Sequence, residues 1–333
     1  MFNNKSVLIT GGTGSFGRAC ARTLLERYDI HRLVILSRDE VKQHEMQRQF
    51  DAPCMRFFLG DVRDRTRLSE AFHNIDYVIH AAALKQVPFA EYNPMECIKT
   101  NVHGSENVIA ASLEHNVEKV IALSTDKAAN PINLYGASKL AADKLFVAAN
   151  NIAGGRPTRF SVVRYGNVVG SRGSVVPLFR KLIDEGCDHL PITDESMTRF
   201  WITLQQGVDF VLENFERMWG GEIFVPKIPS VKITDVARAM APGLPGKVVG
   251  IRPGEKLHEI MCPSDYAHLT LEFDDHYLIK PTIKFHQFEV DYETNTLGEV
   301  GKLVEPGFEY QSSSNPHFLD HAEILELNNF DET

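Results

Sequence analysis

The chain has 333 residues, 43% of them hydrophobic and 24% charged, which excludes wholesale disorder, collagen-like repeats and coiled-coil rods. Its 35 basic and 44 acidic side chains give a net charge of −9, which argues against nucleic-acid binding through a broad basic face but permits a small anionic ligand. No apolar run approaches the ~18 residues of a membrane span, and the start lacks signal-peptide features. We therefore expect a soluble, cytoplasmic protein with no membrane partner.

The first half of the chain alternates apolar runs with amphipathic stretches. The apolar runs lack polar alternation and are predicted as buried strands over 6–10, 32–37, 55–61, 77–83, 119–125 and 160–165. Helical periods separate them, most clearly over 15–28, 94–115 and 135–153. This series predicts an α/β fold with a Rossmann-type, doubly wound parallel sheet.

Beyond about residue 170 the alternation becomes irregular, and glycine and proline recur often. A further helix is predicted over 205–218, where the chain could return to the sheet. We predict a first domain over 1–170 with a returning segment near 200–222. A smaller, mixed α/β substrate-binding lobe is predicted over 171–199 and 223–333.

A glycine-rich segment, TGGTGSFG, directly follows the first strand and opens a helix. That context is what a G-x-G-x-x-G match requires, because the glycines permit a tight turn and let backbone N–H groups approach a pyrophosphate. A plain glycine-rich turn is the alternative. The cofactor contacts predicted in this loop are Gly11, Thr13, Gly14, Ser15, Phe16 and Gly17.

Ribose recognition is decided at the end of the second strand, about 20 residues beyond the glycines. An acid there would bind the 2′-hydroxyl of NAD, whereas Ser37 and Arg38 offer a hydroxyl and a cation to a 2′-phosphate, so NADP is predicted. Alternatively, Arg38 pairs with Asp39 or Glu40 at the surface. The cofactor contacts predicted outside the loop are Ser37, Arg38, Asp61, Val62, Ala81, Tyr135 and Lys139.

The pair Tyr135 and Lys139 stands at the start of a predicted helix, with Asn133 as a possible N-cap. A lysine ammonium beside a phenol stabilises the phenolate and lowers a pKa that is about 10 in the free side chain. Y-x-x-x-K alone would most often be a solvated helix face. After a strand that ends in Ser-Thr, and behind a glycine fingerprint, it indicates a catalytic base.

The chain resembles the extended short-chain dehydrogenase/reductases, and among them the inverting UDP-N-acetylglucosamine 4,6-dehydratases of pseudaminic acid biosynthesis. The resemblance runs end to end, through TGGTGSFG, SRDE, GDVRD, HAAALKQVP, NPMECIKTN, LSTDKAANPINLYGASK, RYGNVVGSRGSVVP, MTRFW and IRPGEKLHE. Many retaining 4,6-dehydratases carry Thr-Asp-Glu where this chain has Thr125, Asp126 and Lys127. Membrane-bound relatives often carry Met in place of Tyr135.

The resemblance implies a reaction and a role for each catalytic residue. Tyr135 with Lys139 would deprotonate the 4-hydroxyl of the hexose, which Thr125 would hold, while NADP accepts the hydride. Lys127 would then remove the C5 proton and Asp126 would protonate the departing 6-hydroxyl, although these coupled neighbours could share both duties. The alternative is that Asp126 and Lys127 form a local ion pair that closes a turn. Hydride return to C6 and protonation of C5 from the opposite face would invert C5. A lysine base must be neutral when it acts, which requires burial or a nearby cation.

The substrate side lies mainly in the second half of the chain. By resemblance, the residues around UDP-N-acetylglucosamine are Lys85, Thr125, Asn167, Arg199, Arg252 and Glu255, and the SRGS turn at 171–174 adds donors for the diphosphate. Taken singly, each arginine could instead be a surface salt-bridge residue. Trp201 is predicted to pack in the core rather than stack on uracil.

Other features of the sequence leave open alternatives. No metal site is predicted, since His317 and His321 lack further ligands. Family behaviour suggests a homo-oligomer. A UDP-sugar 4-epimerase is one alternative function, because it needs the glycine loop, threonine, tyrosine and lysine but no second acid–base pair. A non-catalytic protein that senses NADP is another.

Overall fold

The computed structural model of the chain describes residues 1–170, 174–283 and 290–329. In the first half the elements are β1 (Ser6–Thr10), α1 (Ser15–Arg27), β2 (Arg32–Ser37), α2 (Glu40–Gln49), β3 (Met55–Leu59), α3 (Arg65–Ala71), β4 (Tyr77–His80), α4 (Val87–Tyr92), α5 (Pro94–Ile98), α6 (Gly104–Glu114), β5 (Lys119–Thr125), α7 (Leu134–Ala153) and β6 (Arg159–Tyr165). A π-helical turn, Lys99–His103, joins α5 to α6, so the single helix predicted over 94–115 is interrupted.

The second half has shorter elements. They are β7 (Asn167–Val168), α8 (Val175–Asp184), β8 (Leu190–Ile192), β9 (Thr198–Ile202), α9 (Leu204–Arg217), β10 (Ile223–Pro226), β11 (Ser230–Lys232), α10 (Ile233–Met240), β12 (Gly246–Val248), β13 (Ile260–Cys262), β14 (Thr270–Glu272), β15 (His276–Ile279), β16 (Lys302–Leu303), β17 (Tyr310–Gln311) and α11 (His321–Asn329). None of the helices in the described part of the chain is both long and apolar enough to cross a lipid bilayer.

The large sheet confirms the predicted Rossmann-type, doubly wound architecture. Its strand order is β16-β14-β15-β10-β6-β5-β4-β1-β2-β3. Seven neighbouring strands of this sheet pair in parallel, in the order β10-β6-β5-β4-β1-β2-β3. Beyond β10, the strands β15, β14 and β16 extend the sheet with antiparallel pairs. Apart from the partly exposed edge strand β3, the parallel strands are buried on both faces, which explains their continuous apolar sequences.

Among the described residues, two hydrophobic clusters stabilise the fold. The larger one packs around the sheet. The smaller one includes Phe179, Trp201 and Ile324, so the prediction that Trp201 belongs to the core is confirmed. The predicted return of the chain occurs through α9, which packs on α1 and places Asp209 2.7 Å from Arg27.

The sheet also takes strands from a region that we predicted to belong to the substrate lobe. Within 223–333, strands β10, β14, β15 and β16 are part of the large sheet. The short strand β10 covers the free edge of β6, and β15 then pairs with β10, so backbone hydrogen bonding continues the sheet across the predicted boundary. The division into two domains stays a prediction.

Candidate active site

A cavity of about 770 Å³ lies at the carboxyl ends of the parallel strands. Three of the predicted substrate residues, Lys85, Thr125 and Asn167, line it. Every residue predicted to contact the cofactor also lines it: Gly11, Thr13, Gly14, Ser15, Phe16, Gly17, Ser37, Arg38, Asp61, Val62, Ala81, Tyr135 and Lys139. The fold therefore brings residues from both predicted sites into one space.

The glycine loop leaves room for an anionic ligand at the start of α1. Gly11 has φ +66°, and a Cβ built there would lie 2.9 Å from Ala82 Cα, so a side chain would be strained and crowded. Gly14 is the N-cap of α1 and has no side chain with which to cap it. The N–H groups of the first turn can therefore donate to a pyrophosphate.

Arg38 lies at the far end of the cavity, where its guanidinium Nη1 is 3.4 Å from Asp61 Oδ2. The alternative pairing with Asp39 does not form, because Asp39 caps α2 through Lys42 N at 3.0 Å and pairs with Lys42 Nζ at 2.6 Å. Arg38 is half-exposed, so its charge is accessible to a ligand in the cavity.

The end of β5 carries the Thr125–Lys127 segment into a short 3₁₀ turn. Thr125 Oγ1 donates to Asp126 Oδ1 at 2.8 Å, and Lys127 Nζ donates to the same oxygen at 2.9 Å. Asp126 is fully buried and does not line the cavity, whereas Thr125 and Lys127 do. Direct contact between Asp126 and a 6-hydroxyl, which the resemblance implied, is not favoured by this placement.

Glu259 is a member of this cluster that the sequence analysis missed. Its Oε1 lies 3.1 Å from Lys127 Nζ, and its side chain is 2% exposed. Burial opposes the ammonium form of Lys127, but Asp126 and Glu259 outweigh it and raise the pKa of Lys127 above its usual value. The resting form of Lys127 is therefore the ammonium, which must lose a proton before Lys127 can act as the base. The IRPGEKLHE motif contains Glu259, but nothing in the sequence links it to Lys127.

Helix α7 presents Tyr135 and Lys139 to the cavity. Its predicted N-cap is confirmed, because Asn133 Oδ1 accepts from Gly136 N at 2.7 Å. Burial raises the pKa of Tyr135 to about 12, and the strongest opposing charge comes from Lys127 rather than from Lys139. The net lowering that we expected from Lys139 is therefore not found, because burial outweighs the nearby charges.

Lys139 is itself buried beside a charged network. Burial lowers the pKa of Lys139, and Asp143 opposes that shift. Asp143 Oδ2 accepts from Ser124 Oγ at 2.7 Å and from Arg164 Nη2 at 3.0 Å. The carboxylate behind Lys139 is thus fixed by two donors.

Three of the predicted substrate residues do not line the cavity. Arg199 is buried, and its Nη1 donates to the carbonyl oxygens of Thr198 at 2.7 Å and Leu257 at 3.1 Å. The side chain of Arg252 is 67% exposed, and it pairs with Glu255 at 2.6 Å. Within the predicted SRGS turn, residues 171–173 lie outside the described residues.

Comparison with known proteins places the chain in a family. A family model described as "Polysaccharide biosynthesis protein" matches residues 7–281. The chain belongs to this family. The resemblance inferred from the motifs is also confirmed: a UDP-N-acetylglucosamine 4,6-dehydratase (inverting) of Campylobacter jejuni subsp. jejuni serotype O:2 is 64% identical over 332 residues, which span 100% of this chain and 99% of the relative.

Other relatives of the chain carry different names. A protein of Rickettsia canadensis named UDP-glucose 4-epimerase is 44% identical over 286 residues, which cover 84% of each chain. The X-ray structure of Pen from Bacillus thuringiensis is 34% identical and aligns with a TM-score of 0.88 over 100% of this chain and 99% of Pen. The family thus includes names from two reaction classes, and the site chemistry must discriminate between them.

Proposed function

We propose that the chain is an NADP-dependent UDP-N-acetylglucosamine 4,6-dehydratase that inverts C5 and yields UDP-2-acetamido-2,6-dideoxy-β-L-arabino-hex-4-ulose. The observation that carries the proposal is that Lys127, paired with Asp126, lines the same cavity as Thr125, Tyr135 and Lys139. A 4-epimerase needs Thr125, Tyr135 and Lys139, but its reaction has no elimination step that would use Lys127 and Asp126 as an acid–base pair. The name of the Campylobacter jejuni relative supports the same reaction.

The cofactor would be held by the glycine loop at its pyrophosphate and by Arg38 at the 2′-phosphate. Bound there, NADP supplies a hydride acceptor for C4 and a hydride donor for C6 of the sugar. The close approach of Gly11 to Ala82 favours this arrangement, because a side chain in the loop would crowd the backbone beside the cavity.

Oxidation at C4 requires a base for the 4-hydroxyl. Tyr135 is a neutral phenol at rest, since burial raises its pKa to about 12. The ammonium of Lys127 and the hydroxyl of Thr125 both favour its phenolate, so they help the phenol to release its own proton to solvent in the cavity. The phenolate then takes the 4-hydroxyl proton. The resulting 4-ketone acidifies the proton on C5.

Elimination of water then uses the pair formed by Lys127 and Asp126. Transfer of one proton from Lys127 Nζ to Asp126 Oδ1, 2.9 Å away, converts an ammonium and a carboxylate into an amine and a carboxylic acid. The amine takes the C5 proton. The acid passes its proton through the Thr125 hydroxyl, 2.8 Å from Asp126, to the 6-hydroxyl, which leaves as water. Both groups return to their resting charges. C6 would then receive the hydride back, and a proton from solvent, added to C5 on the opposite face, inverts that carbon.

Product analysis tests this reaction directly. After incubation with NADP and UDP-N-acetylglucosamine in deuterated buffer, NMR should show a 4-keto-6-deoxy sugar with deuterium at an inverted C5. Retention at C5 would contradict the inverting assignment. A 4-epimer that keeps its 6-hydroxyl would replace the proposal with the second candidate, which the name of the Rickettsia canadensis relative favours.

Variants separate the two candidates further. Asp126→Asn should abolish a dehydratase but leave an epimerase largely active, whereas Lys127→Ala should abolish a dehydratase and slow an epimerase, because the Lys127 ammonium favours the Tyr135 phenolate. Tyr135→Phe is the matched control, because it should abolish both reactions. The place of the product in pseudaminic acid biosynthesis, the homo-oligomeric state and the cytoplasmic location remain proposals that rest on the resemblance.

A further inference from the structure

Glu259 is a buried carboxylate to which the proposed reaction assigns no task. It immediately precedes β13, whose antiparallel partner is β17. Its backbone is fixed on both sides, because Glu259 N donates to Ser312 Oγ at 2.9 Å and Ser312 N donates to Glu259 O at 2.8 Å. The backbone that carries the Glu259 side chain is therefore hydrogen-bonded to the segment before α11 through both its N–H and its carbonyl group.

Three cations surround this carboxylate. Lys127 Nζ lies 3.1 Å from Oε1, Arg199 Nε lies 3.9 Å from Oε1, and Lys256 Nζ lies 4.0 Å from Oε2. Within the described chain, Oε2 has no hydrogen-bond partner, and Lys256 Nζ instead donates to the carbonyl oxygen of Ala129 at 2.6 Å. Lys127 alone of the three cations lines the cavity. It is therefore the group through which Glu259 can influence a ligand.

The amino group of Lys127 is held between two carboxylates. Asp126 approaches it from its own turn at 2.9 Å, and Glu259 approaches from the segment before β13 at 3.1 Å. With only Asp126, adjacent in sequence, a long lysine side chain would retain several rotamers. A second carboxylate fixes the position of Nζ and compensates the repulsion from Arg199.

We propose that Glu259 is a positioning residue, which holds Lys127 Nζ at the cavity wall and stabilises its protonated form until substrate is bound. This inference rests on the proposed function, because it gives the elimination step its resting ion pair. Among the described residues, the charged and titratable groups that face Lys127 are Asp126 on its own turn, Tyr135 on α7, Arg199 on β9, and Lys256 and Glu259 before β13.

Competitive labelling with trace acetic anhydride measures the protonation of Lys127 without requiring turnover. Only the neutral amine reacts, so the rate of acetylation of the Lys127 peptide against pH, followed by mass spectrometry, gives its titration midpoint. In Glu259→Gln, which removes the charge but keeps the shape, the midpoint should fall by about 1–2 pH units. Glu259→Asp, which keeps the charge, should restore most of that shift.

Two further variants keep the test decisive. Lys256→Met removes a cation that faces the same carboxylate, so it should move the midpoint in the opposite direction, even if Glu259→Gln fails to fold. Glu222→Gln is the matched control, because Glu222 is also fully buried but bonds to Ser161 and to backbone N–H groups away from the cavity. It should lower thermal stability and leave the midpoint unchanged.

Exchange of solvent deuterium into C5 of the sugar nucleotide provides the functional reading. Glu259→Gln should lose this exchange at a pH at least about one unit below that of the wild type, and Glu259→Asp should recover it. An unchanged Lys127 midpoint in folded Glu259→Gln would overturn the inference, whatever the activity. If Glu259→Gln shifts the Lys127 midpoint but the wild-type protein does not act on the sugar nucleotide, the positioning role of Glu259 is supported and the proposed function is rejected.

Discussion

Substitution of Gly136 by alanine should move Tyr135 away from Lys127 in the catalytic cluster. Gly136 follows Tyr135 in the first turn of α7, and a Cβ built there would overlap the carbonyl oxygen of Lys127 and lie 3.1 Å from Pro131 Cβ. The obstructing oxygen belongs to backbone in the 3₁₀ turn Asp126–Ala128, so no flexible side chain can move aside. The start of α7 must therefore move away from Lys127.

The expected size of the effect follows from that displacement. Relief of the overlap requires a shift of about 1 Å, and such a misplacement at a reacting centre costs on the order of 10²-fold in rate. That loss corresponds to about 2.7 kcal/mol of transition-state stabilisation. Overpacking should also lower the free energy of unfolding by about 1–3 kcal/mol, which leaves most of the protein folded.

The assay is the rate of 4-keto-6-deoxy sugar formation, with thermal unfolding measured in parallel. Gly155→Ala is the matched control, because a Cβ there would meet no atom within 4 Å, and it should keep both wild-type values. Wild-type turnover in Gly136→Ala would refute the reasoning, since it would mean that the spacing between Tyr135 and Lys127 does not limit the reaction.

Three further predictions concern the cofactor and the core. Arg38→Ala should weaken NADP binding about tenfold or more, since a charged hydrogen bond contributes about 1.5–3 kcal/mol, and leave NAD binding nearly unchanged; equal losses in fluorescence titrations would contradict the role of Arg38. Gly17→Ala should weaken both cofactors about tenfold, because its Cβ would overlap the backbone of Gly12; unchanged affinity would exclude close packing there. Burial lowers the pKa of His80 from 6.5 to about 3, so between these two pH values His80 binds a proton only in the unfolded chain. Stability should therefore fall with decreasing pH, by up to about 1.4 kcal/mol per pH unit in urea titrations, and His80→Asn should flatten that slope.

The parallel sheet was predictable because its evidence is local. Each buried strand is a continuous apolar run, and the glycine loop and Asn133 are recognised from neighbouring residues. The later strands were not, since β14 and β16 have only three and two residues, and no period is visible over such lengths.

Long-range contacts limited the prediction of the site. Glu259 contacts Lys127 across 259 − 127 = 132 positions, and no spacing rule reports such a pair. Arg199 was assigned from its motif, but its guanidinium bonds to two backbone carbonyl groups. The charge of Lys127 depends on both of its carboxylate neighbours, so its resting protonation could be read only from the folded chain.

The distance along the chain between Lys127 and Glu259 also sets the order in which the parts of the site are synthesised on the ribosome. The glycine loop, Arg38, Tyr135 and Lys139 all emerge within the first 139 positions of the sequence, so the dinucleotide-facing wall can be synthesised long before the second carboxylate. Pairing of β13 with β17 joins Glu259 to residues beyond 309, which are translated well after Lys139. The cofactor contacts of a nascent chain can thus form early, whereas the charge balance around Lys127 is completed only when the segment that carries β17 docks.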